Sequence, residues 1–181
     1  MIAIFLAEGF EEIEALTPLD LLRRANLEVK TVSITNDKCV RGAHGISVIA
    51  DLEKDELSVS DIDFAIFPGG MPGAKNLDEW DLTDEIISLV LARGKRLGAI
   101  CAAPMIFGKR GLLSGKRAVC YPGFEDTLKG AEISYLPVVT DGNITTARGM
   151  GAALDFSLEI IKILLGEDEA NSLAKAIIKE I

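Results

Sequence analysis

Histidine, cysteine and aromatic side chains are scarce in this chain of 181 residues. It contains one histidine, three cysteines and 6% aromatic residues. The cysteines (Cys39, Cys101 and Cys120) are few, odd in number and without the spacing of metal ligands. We therefore expect no metal site and a reducing compartment, the cytoplasm. The sequence also has no run of like charges, no low-complexity segment and no internal repeat.

Long apolar runs and basic residues are also in short supply. No apolar run approaches the ~20 residues that cross a bilayer, so no membrane partner is expected. The apolar start, Ile2–Leu6, is short, has no basic residues before it and is followed by acidic ones, which predicts a strand and not a signal peptide. With 19 basic against 28 acidic residues, the net charge of −9 argues against a nucleic-acid partner. Walker and dinucleotide glycine motifs are missing, and we expect no cofactor.

The chain does contain a regular alternation of apolar runs and amphipathic segments. Apolar runs typical of buried strands cover Ile2–Leu6, residues 63–67 and Arg96–Ile100. The alternation predicts one domain, residues 1–181, with a doubly wound, mostly parallel sheet and helices on both faces. Functional groups in such sheets gather at the carboxyl ends of the strands. Further expected elements are strands at 28–35 and 117–121, hairpins at 39–49 and 138–146, and helices at 51–57, 82–93, 152–165 and 167–178.

Cys101 stands where a strand of small apolar residues ends and Ala102, Ala103 and Pro104 open a predicted helix. A nucleophile elbow is built in this way, with its side chain exposed at the carboxyl end of a sheet. The positive field of a helix N-terminus would favour the thiolate, which is the nucleophilic form. Free cysteines are also common as small apolar core residues, so the motif alone leaves both interpretations open.

A thiolate nucleophile needs donors for an oxyanion and a partner for proton transfer. The Gly69-Gly70 turn and the N–H group of Ala102 are candidate donors, although a tight turn would also explain the glycines. Glu14, in the first turn of the first helix, is the candidate proton partner. A carboxyl buried beside a thiolate would have a raised pKa and could move protons. Its spacing alone favours a simpler role, complementing the helix dipole.

Three further residues, Cys120, Tyr121 and Arg148, are candidates for the same site, whereas His44 is expected at the surface or an interface. Cys120 and Tyr121 end the strand after the elbow, where Cys120 could be a resolving thiol and Tyr121 a wall of the pocket; core packing also explains both. Arg148 could hold an anion or pair with an acidic neighbour. His44 lies on a predicted hairpin and not at the carboxyl end of a strand, which argues against a Cys-His-Asp triad within one chain.

Four segments together resemble the ThiJ/PfpI superfamily, in its DJ-one-like branch. They are residues 9–14 (GFEEIE), 68–70 (PGG), 99–104 (AICAAP) and 146–149 (TARG). The resemblance covers nearly the whole chain and implies a flavodoxin-like fold, related to class I glutamine amidotransferases, and a homodimer. It also implies that Cys101 is reactive and easily oxidised, that Glu14 hydrogen-bonds its sulfur, and that the N–H groups of Gly70 and Ala102 form the oxyanion site.

Departures from the family pattern reduce the number of family activities that we expect for this chain. Ala102 stands where the peptidase branch has a histidine, and no histidine follows Cys101 as an amidotransferase needs, so the resemblance argues against both activities. Tyr121 stands where the DJ-one protein has a histidine. Arg24 and His44 match family positions near the dimer interface, where together they could bind an anion.

The resemblance implies two classes of function. The first is a cofactor-independent, cysteine-dependent glyoxalase or deglycase, which acts on methylglyoxal, glyoxal or the adducts of these small reactive carbonyls. The second is a redox-sensing oxidative-stress protein or chaperone whose Cys101 is oxidised to the sulfinate. A Cys101–Cys120 disulfide switch is a third alternative.

Overall fold

The computed structural model describes residues 1–180. Its strands are β1 (Ile2–Leu6), β2 (Val29–Ser33), β3 (Cys39–Arg41), β4 (Ser47–Ile49), β5 (Leu52–Glu53), β6 (Phe64–Phe67), β7 (Arg96–Ile100), β8 (Arg117–Ala118), β9 (Glu132–Ile133), β10 (Val138–Asp141) and β11 (Ile144–Ala147). Its α-helices are α1 (Glu12–Arg24), α2 (Gly73–Asp78), α3 (Thr83–Ala92), α4 (Pro104–Lys109), α5 (Ala153–Leu165) and α6 (Glu167–Ala176). None of the helices within these 180 residues is both long enough and apolar enough to cross a bilayer.

Seven strands form one sheet in the order β10-β11-β7-β6-β1-β2-β5. Neighbouring strands are parallel, except for the antiparallel pair of β10 and β11. The β3–β4 hairpin and the short parallel pair of β8 and β9 lie outside this sheet. The mostly parallel, doubly wound fold predicted from the sequence is therefore confirmed.

Helices cover both faces of the sheet. On β1, Phe5 packs into the core beneath α2, α3 and α4, while Ile4 packs into the core beneath α1 and α5. Both side chains are fully buried, and burial of each contributes about 1.5–3 kcal/mol. Because both faces are covered, the central strands are apolar without interruption. Their carboxyl ends consequently give the loops above them a rigid base.

Residues 51–57, expected as a surface helix, form the edge strand β5 and a short 3₁₀ turn, Lys54–Glu56. The cause is Asp51, whose carboxylate accepts hydrogen bonds from the backbone N–H and the hydroxyl of Thr31 on β2. These bonds hold the following residues along β2, where they pair as a strand. The expectation of a helix over most of this segment is wrong.

Of the strand expected at residues 117–121, only the first two residues form a strand, which is β8. Beyond it, the Val119 N–H donates to the hydroxyl of Thr146 at 3.0 Å. The Tyr121 N–H donates to the carbonyl of Cys101 at 2.8 Å. Because these two N–H groups bond to a side chain and to the elbow, the strand ends early and ties this segment to the end of β7.

Candidate active site

Three neighbouring strands of the sheet end at one place. β7, β6 and β1 lie side by side and parallel, so their carboxyl ends share one edge of the sheet. β7 leads into Cys101, β6 leads into the Gly69-Gly70 turn, and β1 leads into α1, which carries Glu14. The strand order therefore brings these sequence-predicted residues together.

Cys101 has a backbone conformation that is unusual for a residue with a side chain. Its φ is +65°, in the left-handed region that costs an L-residue about 1–2 kcal/mol. Its N–H donates to the carbonyl of Ala147 at 2.9 Å and its carbonyl accepts the N–H of Tyr121, which fixes the peptide on both sides. Helix α4 begins three residues later. A nucleophile elbow requires this sharp strand-to-helix turn, and the Cys101 side chain remains half-buried.

Glu14 is a carboxyl in a dry environment. Its side chain is 0% exposed, and its Oε2 accepts a hydrogen bond from the Gly69 N–H at 2.9 Å. Within residues 1–180, its Oε1 has no partner that meets hydrogen-bond geometry, although the carboxyl and the Cys101 thiol lie close enough to shift each other's pKa. Burial raises the pKa of Glu14 to about 7, against the opposing effect of the Cys101 and Gly69 hydrogen bonds.

Gly69 separates the carboxyl from the cysteine. A Cβ at this position would lie 2.5 Å from Oε2 of Glu14 and 2.6 Å from Cβ of Cys101, far inside van der Waals contact. Gly70 has a φ of +84°, and a side chain there would strike the backbone nitrogen of Glu11. The close approach of three chain segments therefore requires both glycines, and a tight turn alone does not explain them.

Cys101 and Glu14 share one negative charge near neutral pH. Burial, together with the charge and hydrogen bond of Glu14, raises the pKa of the Cys101 thiol to about 12, against the opposing N–H groups of Ala102 and Gly70. The pair therefore loses one proton near pH 7 and the second only at much higher pH. Burial and Glu14 thus outweigh the N–H groups that favour the thiolate.

Tyr121 and Arg148 line a cavity of about 500 Å³ next to the elbow. Arg148 lies over the ring of Tyr135, 5.9 Å from its centroid, and donates to the Tyr135 carbonyl at 3.1 Å. Neither Cys101 nor Glu14 lines this cavity. Tyr121 is consequently joined to the elbow through its backbone, and Arg148 is a neighbour of the site without contacting the sulfur.

Cys120 lies apart from the elbow sulfur. It is buried in the core beneath α2, α3 and α4, whereas Cys101 packs against the core on the other face of the sheet. Burial, with the charge of Glu125, raises the pKa of Cys120 to about 11. All three cysteines are free thiols. The core-packing interpretation suits Cys120 better than the role of a resolving thiol.

Arg24 and His44 are not brought together within one chain. Arg24 ends α1, where it pairs with Asp20 at 2.7 Å. His44 contacts Glu12 at the other end of the same helix, and a helix of 13 residues separates its ends by about 18 Å. An anion site formed by these two residues at a dimer interface stays a prediction, and within one chain His44 faces carboxylates.

Two features near the site carry little signal in the sequence. The carbonyl of Ala147 and the N–H of Tyr121, which hold the elbow, are backbone groups and could be located only from the order of the strands. A cluster of Glu11, Glu12 and His44 joins α1 to the β3–β4 turn. The adjacent glutamates were a visible signal, but their partner lies 32 residues along the chain.

Comparison with known proteins identifies relatives over most of the chain. The sequence model of the DJ-1/PfpI family matches residues 1–163. The glutathione-independent glyoxalase DJR-1.2 of Caenorhabditis elegans is 31% identical over 172 residues, which cover 93% of this chain and 90% of that protein. A deglycase of Pyrococcus abyssi is 31% identical over 166 residues, which cover 90% and 98%.

Two further relatives show how this chain compares in length and in fold. Protein DJ-1 homolog B of Arabidopsis thaliana is 35% identical over 171 residues, or 93% of this chain, but the chain spans only 39% of that plant protein. The solved structure of oxidised DJ-1 from Toxoplasma gondii matches with a TM-score of 0.95 at 31% identity, covering 99% of this chain and 98% of the other. The likeness to that structure extends over the sheet, both helical layers and the elbow.

Proposed function

Because the chain belongs to the DJ-1/PfpI family, we propose that it is a glutathione-independent glyoxalase or deglycase with Cys101 as nucleophile and Glu14 as proton carrier. Its substrates are small reactive carbonyls, methylglyoxal or glyoxal, and their adducts; no cofactor takes part. The observation that carries this proposal is the convergence of a half-buried thiol and a fully buried carboxyl with a pKa of about 7. The relatives named glyoxalase and deglycase support the same class.

The reactive form arises when one proton moves within the pair. Transfer of the thiol proton to the Glu14 carboxylate gives a thiolate beside a neutral carboxyl. The N–H groups of Gly70 and Ala102 favour the thiolate. Oε2 of Glu14 continues to accept the Gly69 N–H, while Oε1, without another partner among the described residues, donates its new proton to sulfur. The unpartnered oxygen is thus the one that faces the chemistry.

The first half of the reaction forms a hemithioacetal. The Cys101 thiolate attacks the aldehyde carbon of methylglyoxal, a C–S bond forms, and the carbonyl oxygen takes the proton held by Glu14. The N–H groups of Gly70 and Ala102 stabilise the charge that develops on this oxygen. The Glu14 carboxylate then removes the hydrogen of the same carbon as a proton, which leaves an enediolate.

The second half moves hydrogen and releases the product. Glu14 returns the proton to the neighbouring carbon, and loss of the remaining O–H proton to that carbon's oxygen gives the thioester of lactate. Water attacks the thioester, the C–S bond breaks, and Cys101 leaves as the thiolate. One carbon is oxidised and its neighbour reduced, so no external electron acceptor is needed, and glyoxal gives glycolate by the same steps.

The test is formation of lactate from methylglyoxal by purified protein, without glutathione and with a metal chelator present. We expect activity in the unchanged protein and in Cys39→Ser, which alters a thiol outside the site. We expect at least a 100-fold loss in Cys101→Ser and at least a tenfold loss in Glu14→Gln. Full activity in both of these variants would exclude the proposed mechanism.

A second candidate function is redox sensing, with Cys101 oxidised to the sulfinate. It is supported by the half-buried position of Cys101 beside a protonatable carboxyl, which can donate a hydrogen bond to a sulfinate oxygen. The solved structure of the Toxoplasma gondii relative is named as oxidised, which supports oxidation of a family member. Mild peroxide followed by peptide mass analysis should add two oxygens to Cys101 before Cys120. Oxidation confined to the exposed Cys39 would rule the sensor out.

We also propose that the protein acts as a single domain that pairs with a second copy in the cytoplasm. Large apolar side chains are exposed where α1 meets the β3–β4 hairpin, at Ile13, Ile46 and Ile49. Such a group of exposed apolar residues is typical of a contact surface. The free cysteines are compatible with a reducing compartment.

A further inference from the structure

We propose that Glu11, Glu12 and His44 form a binding site for a divalent transition-metal ion, with Zn²⁺ the best match to the ligands. The two glutamates come from the start of α1, and the histidine comes from the turn between β3 and β4. The site lies outside the proposed reaction, because none of the three side chains acts on substrate there. The metal-site proposal is therefore independent of the glyoxalase proposal.

The spacing of the three donor atoms fits a coordination sphere. Nδ1 of His44 lies 2.9 Å from Oε2 of Glu12 and 3.5 Å from Oε2 of Glu11. One ligand atom from each residue lies within 4.8 Å of the others. Ligands bound at about 2.0–2.2 Å from zinc are separated by roughly 3–3.5 Å. Only the Glu11 side chain has to adjust for an ion to bridge all three.

Glu12 is held in place before any ion binds. Its residue is 2% exposed, and its Oε1 accepts the N–H groups of His44 at 2.8 Å and Ile46 at 3.4 Å. Gly42 packs so closely that a Cβ there would collide with the Glu12 carboxylate. Oε1 is thus occupied by the protein and Oε2 is left to face His44. Such outer hydrogen bonds orient a ligand and strengthen metal binding.

The charges at the cluster suit a cation. Burial opposes ionisation of Glu12, but the hydrogen bonds from His44 and the backbone outweigh it and lower the pKa of Glu12. The Glu12 hydrogen bond, then the charge of Glu11, raise the pKa of His44. The neighbouring basic group is Arg41 on β3, whose side chain lies beside Gly45.

The mixed ligand set selects the class of metal. One imidazole nitrogen and two carboxylate oxygens suit Zn²⁺ and its first-row neighbours, whereas Ca²⁺ and Mg²⁺ prefer oxygen ligands alone. The His44 side chain is 67% exposed within one chain, so the remaining coordination positions are open to water or to a ligand from a second copy.

The test is a titration with Co²⁺ in which the absorption of the bound ion is measured. Zn²⁺ is then added as a competitor. The protein carries Cys39→Ser and Cys101→Ser, which removes the accessible thiols. We expect one equivalent bound, at least tenfold weaker binding in His44→Gln and in Glu11→Gln, and unchanged binding in Glu85→Gln, an exposed glutamate at the start of α3. Glu12 is left unchanged because it anchors the turn. Equal affinity in all three variants, or no binding at millimolar Co²⁺, overturns the site.

Discussion

At the residue scale, Glu14 is the group that can transfer protons in the proposed reaction. Its carboxyl is fully buried at the start of α1, with one oxygen bonded to the Gly69 N–H and the other without a hydrogen-bond partner among residues 1–180. A single added proton distinguishes its acceptor form from its donor form. Because its pKa is raised to about 7, both forms are populated near neutral pH, which is the condition for moving protons in both directions.

The pH profile of Cys101 alkylation should follow the shared proton. In Cys39→Ser protein we expect the iodoacetamide rate to rise with a midpoint near pH 7, because the pair loses its first proton there. In Glu14→Gln the proton must come from the thiol itself, in a buried position. The midpoint should then move up by at least one pH unit, toward or above the ordinary thiol value of about 8.5. An unchanged midpoint would mean that Glu14 does not share the proton.

The same carboxyl makes stability depend on pH. The folded pKa of Glu14 is about 7 against 4.5 for the free side chain, so between these values the folded protein binds more protons than the unfolded chain. Its free energy of unfolding therefore falls as the pH rises through this window, by about 3 kcal/mol from this group.

Denaturant unfolding at pH 4.5 and pH 8 tests this dependence. The unchanged protein should lose about 3 kcal/mol more than Glu14→Gln between these pH values, and other titrating groups cancel in the comparison. Glu85→Gln, at an exposed position, should behave like the unchanged protein. Parallel losses in all three proteins would show that Glu14 titrates normally.

At the scale of elements, the site depends on how closely the ends of β1, β6 and β7 approach one another. Gly69 lies between Glu14 and Cys101, and its backbone does not need a left-handed conformation. Substitution by alanine therefore tests the close approach without adding backbone strain.

Gly69→Ala should reduce alkylation of Cys101 and conversion of methylglyoxal by at least tenfold. The added Cβ would meet Oε2 of Glu14 at 2.5 Å and Cβ of Cys101 at 2.6 Å, so the two groups must separate. Gly151→Ala is the matched control, because a Cβ there meets nothing within 4 Å and the position needs no positive φ. Equal activity of the two variants would show that the reactive pair tolerates displacement.

The elements that position the site could be predicted where burial leaves a clear pattern. β1, β6 and β7 are continuous apolar runs because both faces of the sheet are covered, and the elbow follows β7 as its small residues indicate. The expectation of a helix at residues 51–57 is wrong because hydrogen bonds from Thr31 and Arg23 to the Asp51 carboxylate hold this segment along β2. Long-range hydrogen bonds of this kind leave no periodic signal in the sequence.

The role of Glu14 could not be decided from spacing for a related reason. A glutamate in the first turn of a helix complements the dipole whether it is exposed or buried. Only the packing of α1 against the Gly69 turn sets it in a dry position beside sulfur. The same holds for Glu12 and His44, whose contact depends on how the β3–β4 hairpin folds over the start of α1.

At the scale of the whole molecule, three exposed isoleucines, Ile13, Ile46 and Ile49, lie near the start of α1 and on the β3–β4 hairpin. Each chain carries a net charge of −9, so two copies repel one another and need an apolar contact to associate. Salt screens this repulsion. The proposed homodimer should consequently become tighter as ionic strength rises.

Ile49→Lys should convert the dimer to a monomer in light scattering after size-exclusion chromatography. Ile49 is 69% exposed, so the substitution removes little burial within the chain and leaves its stability nearly unchanged. In a contact between two copies it would bury an unpaired charge on each side, which is costly. Leu89→Lys, on α3 at the other face of the sheet, is the matched control and should remain dimeric. A dimer that survives Ile49→Lys but not Leu89→Lys would place the contact on the α3 face instead.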